Sequence, residues 1–242
     1  MSAARGSRAL PRVLRVALAL SICLALAACY TQDRHADTGQ YYTVREGDTL
    51  YSIAFRHGLD YRDLARWNHI DNPALIYAGR RLQLFPPGST SKQAKSSATS
   101  RAAPAPKSTP AAPPKPAGPP VAWVWPASGD VVANFGDPSS IGKGIDIGGR
   151  IGDEVRAAAA GRVVYTGSGL IGYGKLVIIK HNETYLSAYG HNDALYVEQG
   201  AEVQAGQRVA AMGEGPGKRP LLHFEIRVDG KPVDPLQYLP SR

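Results

Sequence analysis

The chain has 242 residues, 43% of them hydrophobic, and a formal net charge of +8. Four of its cations (Arg5, Arg8, Arg12, Arg15) lie at the N-terminus and five (Lys92, Lys95, Arg101, Lys107, Lys115) in a stretch without acidic residues, which leaves 19 basic against 20 acidic residues elsewhere. The remainder is therefore no basic nucleic-acid-binding surface, and with only two cysteines, one inside an N-terminal apolar run, a disulfide framework is excluded.

Residues 1–28 pair the four arginines with an apolar run ending at Ala28. The run is too short for a comfortable membrane span of about 20 residues and reads as a signal peptide, with a short anchor helix as the alternative. Cys23 would be discarded with it. Residues 29–41 are a polar tether. From 42 to 85 the pattern predicts a small β-α-α-β (α+β) unit. Tyr42-Thr43-Val44 alternates as a strand, Gly47-Asp48 turns, and Asp48 or Thr49 caps a helix carrying Leu50, Ile53 and Ala54, which Gly58 ends. Asp60 caps a second helix with Leu64 and Trp67 inward, Asn72-Pro73 is a loop, and Arg81 to Leu84 closes as a strand.

Residues 86–120 hold ten prolines among Ala, Ser and Lys. Such a composition cannot offset its chain entropy by burial and predicts a disordered linker, which at about 3 Å per residue spans on the order of 100 Å. It is expected to let the second domain work away from the first. From 121 to 242, short β runs alternate with glycine turns: Val131-Val132, Gly144–Ile147, Val155–Ala157, Gly161–Tyr165, Lys175–Lys180, Tyr185–Tyr189, Val209–Met212 and His223–Val228. No long helical period appears, so this domain is expected to be all-β.

Several stretches resemble known families. Leu26-Ala27-Ala28-Cys29 resembles a bacterial lipobox, which implies acylation at Cys29, palmitate included. Tyr30, in place of Asp, lacks the usual inner-membrane retention signal and implies lipid anchoring in the outer membrane, facing the periplasm. Tyr42-Thr43-Val44-Arg45-Glu46-Gly47-Asp48-Thr49-Leu50, with Ile53-Ala54, Leu64, Asn68 and Asn72-Pro73, resembles a LysM module. That resemblance implies binding of N-acetylglucosamine-containing glycans, chiefly peptidoglycan, in a shallow groove between Gly47, Asp48, Thr49, Leu50 and Asn72, Pro73, Leu75, Ile76.

Gly142-Lys143-Gly144-Ile145-Asp146 and Leu221-Leu222-His223 resemble the H-x-G-x-D and H-x-H motifs of LytM/lysostaphin-type zinc peptidases. Ala157 to Val164, Gly172-Tyr173-Gly174, Ile179-Lys180-His181 and Tyr189-Gly190-His191 follow in the family's order. The resemblance implies that Asp146 and His223 stand at ligand positions and His191 at a catalytic one. Gly142 replaces a ligand histidine and Leu221 a catalytic one. A catalytic zinc takes three protein ligands and an open position, and the acid/base pair is halved. The chain is therefore expected to be no enzyme, with no catalytic metal and no cofactor; Asp146 and His223 would either bond each other or hold an adventitious metal weakly. Alternation puts Leu221, His223, Glu225 and Arg227 on one face. With Lys143, Asp146, Tyr173, Tyr189 and His191 they are expected to form an open partner-binding groove, with Lys143 and Arg227 exposed.

The whole order, lipobox, LysM, Pro-rich linker and degenerate LytM-type domain, resembles the NlpD-type murein hydrolase activator lipoproteins. This implies activation of a periplasmic N-acetylmuramoyl-L-alanine amidase for septal wall splitting and daughter-cell separation. The competing readings are a zinc endopeptidase with an incomplete-looking site and a passive cell-wall tether.

Overall fold

The computed structural model describes residues 40–87 and 121–242. The expected signal peptide, Cys29, most of the tether and residues 88–120 of the expected linker lie outside the described residues. Among those described, no helix is long and apolar enough to cross a membrane.

The first domain follows the β-α-α-β plan: β1 (Tyr41–Thr43), α1 (Leu50–His57), α2 (Tyr61–Trp67) and β2 (Arg81–Gln83). β1 and β2 pair antiparallel with Tyr42 opposite Leu82. Thr49, not Asp48, caps α1: its Oγ1 accepts from the Ser52 amide at 2.9 Å, while Ser52 Oγ accepts from the Thr49 amide at 3.0 Å. This reciprocal pairing satisfies two amides that the first turn leaves without helical partners. Gly58 ends α1 in the left-handed region, and Asp60 caps α2. Asn68 ties α2 to β2, donating to the carbonyls of Leu64 and Gln83 and accepting from the Gln83 amide. Leu50, Ile53, Leu64 and Leu82 form the centre of the core.

The second domain is all-β. Ten strands, β3 (Val131–Ala133), β4 (Ile145–Gly148), β5 (Glu154–Arg156), β6 (Gly161–Gly167), β7 (Lys175–Lys180), β8 (Tyr185–Leu195), β9 (Glu202–Val203), β10 (Arg208–Glu214), β11 (Pro220–Val228) and β12 (Lys231–Val233), build one sheet. Its order is β3-β4-β11-β10-β8-β7-β6-β9; β12 adds to β11, β5 to β10, and β11 also pairs with β8. The short strands β9 and β12 are absent from the expected set, and β8 runs six residues past Tyr189.

The sheet is buried on both faces. Leu176, Val177, Ile178 and Ile179 are all inside. Alternate members face different cores: Val177 and Ile179 join Tyr189 and Phe224, whereas Leu176 and Ile178 join Tyr173, Leu186 and Ala188. A continuous apolar run is what a strand covered on both sides requires. The second of these cores contains Phe55, from α1 of the first domain. The two domains are thus packed as one compact unit, contrary to the expectation that the second works away from the first. Phe55, buried among residues of the sheet, ties them together.

His181, at the end of β7, closes a polar staple. Its Nδ1 lies 2.8 Å from the Ala160 carbonyl and its Nε2 2.7 Å from Ser187 Oγ, which bonds the Tyr189 hydroxyl at 2.8 Å. That hydroxyl accepts from the Ala158 amide at 2.7 Å. Trp123 packs edge-on against the His181 ring.

Burial disfavours the charged ring and outweighs the bond to Ala160, so the His181 pKa falls to about 4 from the ordinary 6.5. Between those values the unfolded chain binds a proton that the folded chain does not, and stability falls with falling pH. The stability advantage of the parent over His181→Gln should therefore be full above pH 6.5 and shrink toward pH 4, read by denaturant titration across pH. A pH-independent difference would contradict this role.

Candidate functional site

Strand β11 carries the site. Its alternation turns Leu221, His223, Glu225 and Arg227 to one side, and pairing with β4 sets Asp146 directly beside His223. A chain of bonds follows. His223 Nδ1 lies 2.6 Å from Asp146 Oδ1, and its Nε2 lies 3.2 Å from Glu225 Oε1. Glu225 Oε1 also accepts from the Tyr173 hydroxyl at 2.7 Å. Arg227 donates to Glu225 Oε2 from Nε at 2.8 Å and from Nη2 at 2.7 Å. Its Nη1 reaches the Phe55 carbonyl of α1 at 2.6 Å, and its guanidinium stacks 3.3 Å from the centre of the Phe55 ring.

These groups are inside the protein: Glu225 is 0% and Arg227 1% exposed. The expected open groove is therefore closed. Arg227, expected on the surface, lies beneath α1, because a buried guanidinium must share its donors with a carboxylate and carbonyls. Tyr189 is not in this group either. Its ring packs against Phe224 on the opposite face, where burial pushes its pKa up to about 12. Lys143 is exposed, as expected.

The signs alternate along the chain. Burial opposes a charge on His223, but the bonds to Asp146 and Glu225 prevail and raise its pKa. Burial likewise opposes the Glu225 charge, but Arg227 and His223 lower its pKa on balance. Each of the two carboxylates thus has basic partners within the chain. His191 is different. It stands at an irregularity in the pairing of β8 with β7, with φ of 60°, its ring centre 6.2 Å from that of His223. Burial and the neighbouring His223 depress its pKa, so it is held neutral.

The residues present do not fit a catalytic zinc. Gly142 brings no donor and adopts φ of 75°, where a side chain is strained. Leu221, 2% exposed, fills its position with hydrocarbon beneath Gly215, at which an added Cβ would meet Leu221 Cδ1 at 2.7 Å. Both nitrogens of His223 are already engaged. Among the described residues, no group of three or more His, Cys, Asp or Glu side chains is arranged to hold a metal.

In the first domain the two expected loops face one side. Asp48 Oδ2 accepts from the Tyr42 hydroxyl at 2.7 Å and the Arg45 amide at 2.8 Å, which fixes the first loop. Asn72 Oδ1 accepts from the Ala74 amide at 3.0 Å and fixes the second. Thr49, Asn72, Pro73 and Ile76 line a common cavity with Asp48. Leu50 does not belong with them: at 0% exposure it is core, because the capped first turn points it inward. Leu75 is exposed and Gly47 is an open turn glycine.

Two residues at the second site escape sequence reasoning. Phe55 is one; a large apolar side chain lying off the Leu50–Ile53–Ala54 stripe of α1 was the available signal. Ile171 is the other. It is 97% exposed at the tip of the glycine-rich loop that brings Tyr173 over Glu225.

Arg227→Met strands the Glu225 carboxylate and should cost about 3–5 kcal/mol of stability by denaturant unfolding. Combined with Glu225→Gln, it should recover a substantial part of that loss in a double-mutant cycle. Additive losses would contradict the pairing.

Comparison with known proteins gives this arrangement its relatives. The LysM domain family matches residues 42–85, and Peptidase family M23 matches residues 140–235. The chain is 44% identical to the lipoprotein NlpD/LppB homologue of Pseudomonas aeruginosa, over 91% of this chain and 90% of that one. It is 41% identical to the lipoprotein YgeR of Escherichia coli, over 100% and 98%. It is also 41% identical to the murein hydrolase activator NlpD of Escherichia coli, over 85% and 69%. At this identity over nearly whole chains, the protein belongs to the NlpD/LppB family of lipoproteins.

Proposed function

We propose that this chain is a non-catalytic envelope lipoprotein that binds peptidoglycan through its LysM domain and activates a murein hydrolase through its M23-type domain. The hydrolase is a periplasmic N-acetylmuramoyl-L-alanine amidase, and the process is septal wall splitting and daughter-cell separation. The anchor is acylated Cys29 in the outer membrane, with both domains in the periplasm. The names of the relatives support the activator role. The observation that carries it on this chain is the closed site: Leu221 occupies a catalytic position with hydrocarbon, and His223 spends both nitrogens on carboxylates. A site that can neither activate water nor pass a proton is suited to binding.

The partner would meet the rim that remains accessible, Lys143 beside Gly142 and the apolar tip Ile171. An exposed isoleucine and an exposed lysine suit a peptide segment with an apolar and an acidic residue. Such binding would favour the amidase's open state over its self-blocked state and shift the population toward activity.

The test is activation of an autoinhibited periplasmic amidase. Lys143→Glu and Ile171→Asp should each lower activation by roughly tenfold or more, as for interface anchors, with unfolding midpoints unchanged because both side chains are exposed. Full activation by both variants would contradict this placement of the partner. Absence of activation by the parent would favour the passive tether.

A further inference from the structure

The cavity beside the LysM loops has a second wall that the LysM family does not supply. Thr49, Asn72 and Ile76 line one side; Arg162, Lys180 and Gln199 of the sheet domain line the other, around a space of about 360 Å³. The junction fixes this wall. Tyr61 of α2 bonds Glu183 and accepts from Lys180 Nζ at 2.7 Å, and Arg62 meets Asp229 at 2.6 Å. Backbone approaches backbone at Gly230, where an added Cβ would lie 2.1 Å from the Leu59 carbonyl oxygen.

The two walls differ in chemistry. The LysM side offers an amide, short polar groups and an isoleucine, which match an acetamido group and an apolar sugar face; its one carboxylate, Asp48, is already held by Tyr42, the Arg45 amide and Arg56. The opposite side offers two cations and a second amide. Arg162 is tethered to Glu202 only through Nε, at 2.7 Å, and both groups are largely exposed. An exposed pair of this kind contributes little and exchanges readily for a better acceptor. Arginine's forked donors suit a carboxylate in particular.

We propose that the two domains form one composite glycan site, which takes N-acetylated amino-sugar chains bearing carboxylates, with Arg162 and Lys180 as the carboxylate-reading groups. This rests on the LysM reading and deepens it: the sheet domain makes the site prefer acidic wall glycan over a neutral polymer of the same sugar. Lys180 also holds Tyr61 and is already paired with Glu183, so Arg162 is the main reader and the cleaner position to test.

Calorimetry on residues 30–242 would compare three probes: a neutral N-acetylglucosamine oligomer, a peptide-free glycan of alternating N-acetylglucosamine and N-acetylmuramic acid, and the same glycan with peptide stems. The parent should bind one or both acidic probes roughly fivefold or more tighter than the neutral one, in a salt-sensitive manner. Preference for the peptide-free glycan would assign the lactyl carboxylate, and preference only for the stemmed glycan the peptide carboxylates. Arg162→Gln should abolish the preference and leave neutral binding unchanged. Gly230→Val, which forces the domains apart, should do the same. Equal affinities for all probes in the parent, or a preference that survives both variants, would overturn the composite site while leaving LysM binding intact. No binding of the neutral oligomer by the parent would overturn the glycan reading itself, and this inference with it.

Discussion

A charge taken out of water must be met by another, and this molecule answers that constraint with one chain of bonds. Asp146, His223, Glu225 and Arg227 alternate acidic with basic side chains through the interior and end on the carbonyl of Phe55 in the other domain. With glycine at 142 and leucine at 221, the carboxylate and imidazole have no complete ligand set to serve, and burial gives them to each other. Arg227 then balances Glu225, and its remaining donor sets the register of α1. Such buried pairs roughly break even against apolar replacements, so the adhesion between domains comes chiefly from apolar surface. Phe55, fully buried among Tyr173, Leu176 and Ile178, is worth about 1.5–3 kcal/mol on that account.

The first domain is accordingly more than an appended wall-binding module. A sheet must bury both of its apolar faces, and here α1 supplies part of the second layer. The dependence is mutual, since a domain of this size has little core of its own. The LysM loops open beside β6 and β7, and Arg56 of α1 joins them to the loop that carries Ile171 by donating to the Gly169 carbonyl at 3.3 Å.

Much of this was legible in the sequence. Strands and helix caps obey local rules: Lys175 to Lys180 and both helices emerge close to their expected bounds because alternation, Thr49, Gly58 and Asp60 act within a few residues. That Gly142 and Leu221 bring no metal donor and no proton-transfer group was legible for a different reason, being a matter of which atoms they possess. Exposure was not legible. Arg227 reads as a surface charge until Phe55, 172 positions away, is laid upon it. Tyr189 reads as a groove wall until strand pairing assigns it to the other face. Leu50 and Leu75 look alike as apolar residues of the two LysM loops, and only tertiary packing separates the core residue from the exposed one. The run Leu176 to Ile179 did carry a hint of the missing layer, since four consecutive buried residues require cover on both sides.

The most direct test of the account is dye release from labelled peptidoglycan by residues 30–242 with zinc supplied, alone and together with an autoinhibited periplasmic amidase. The account predicts no release by this protein alone at any zinc concentration and strong release in the mixture, above that of the amidase alone. Zinc-dependent release by this protein alone would show a working peptidase site, and the buried chain of Asp146, His223, Glu225 and Arg227 would then not be the structural element described above.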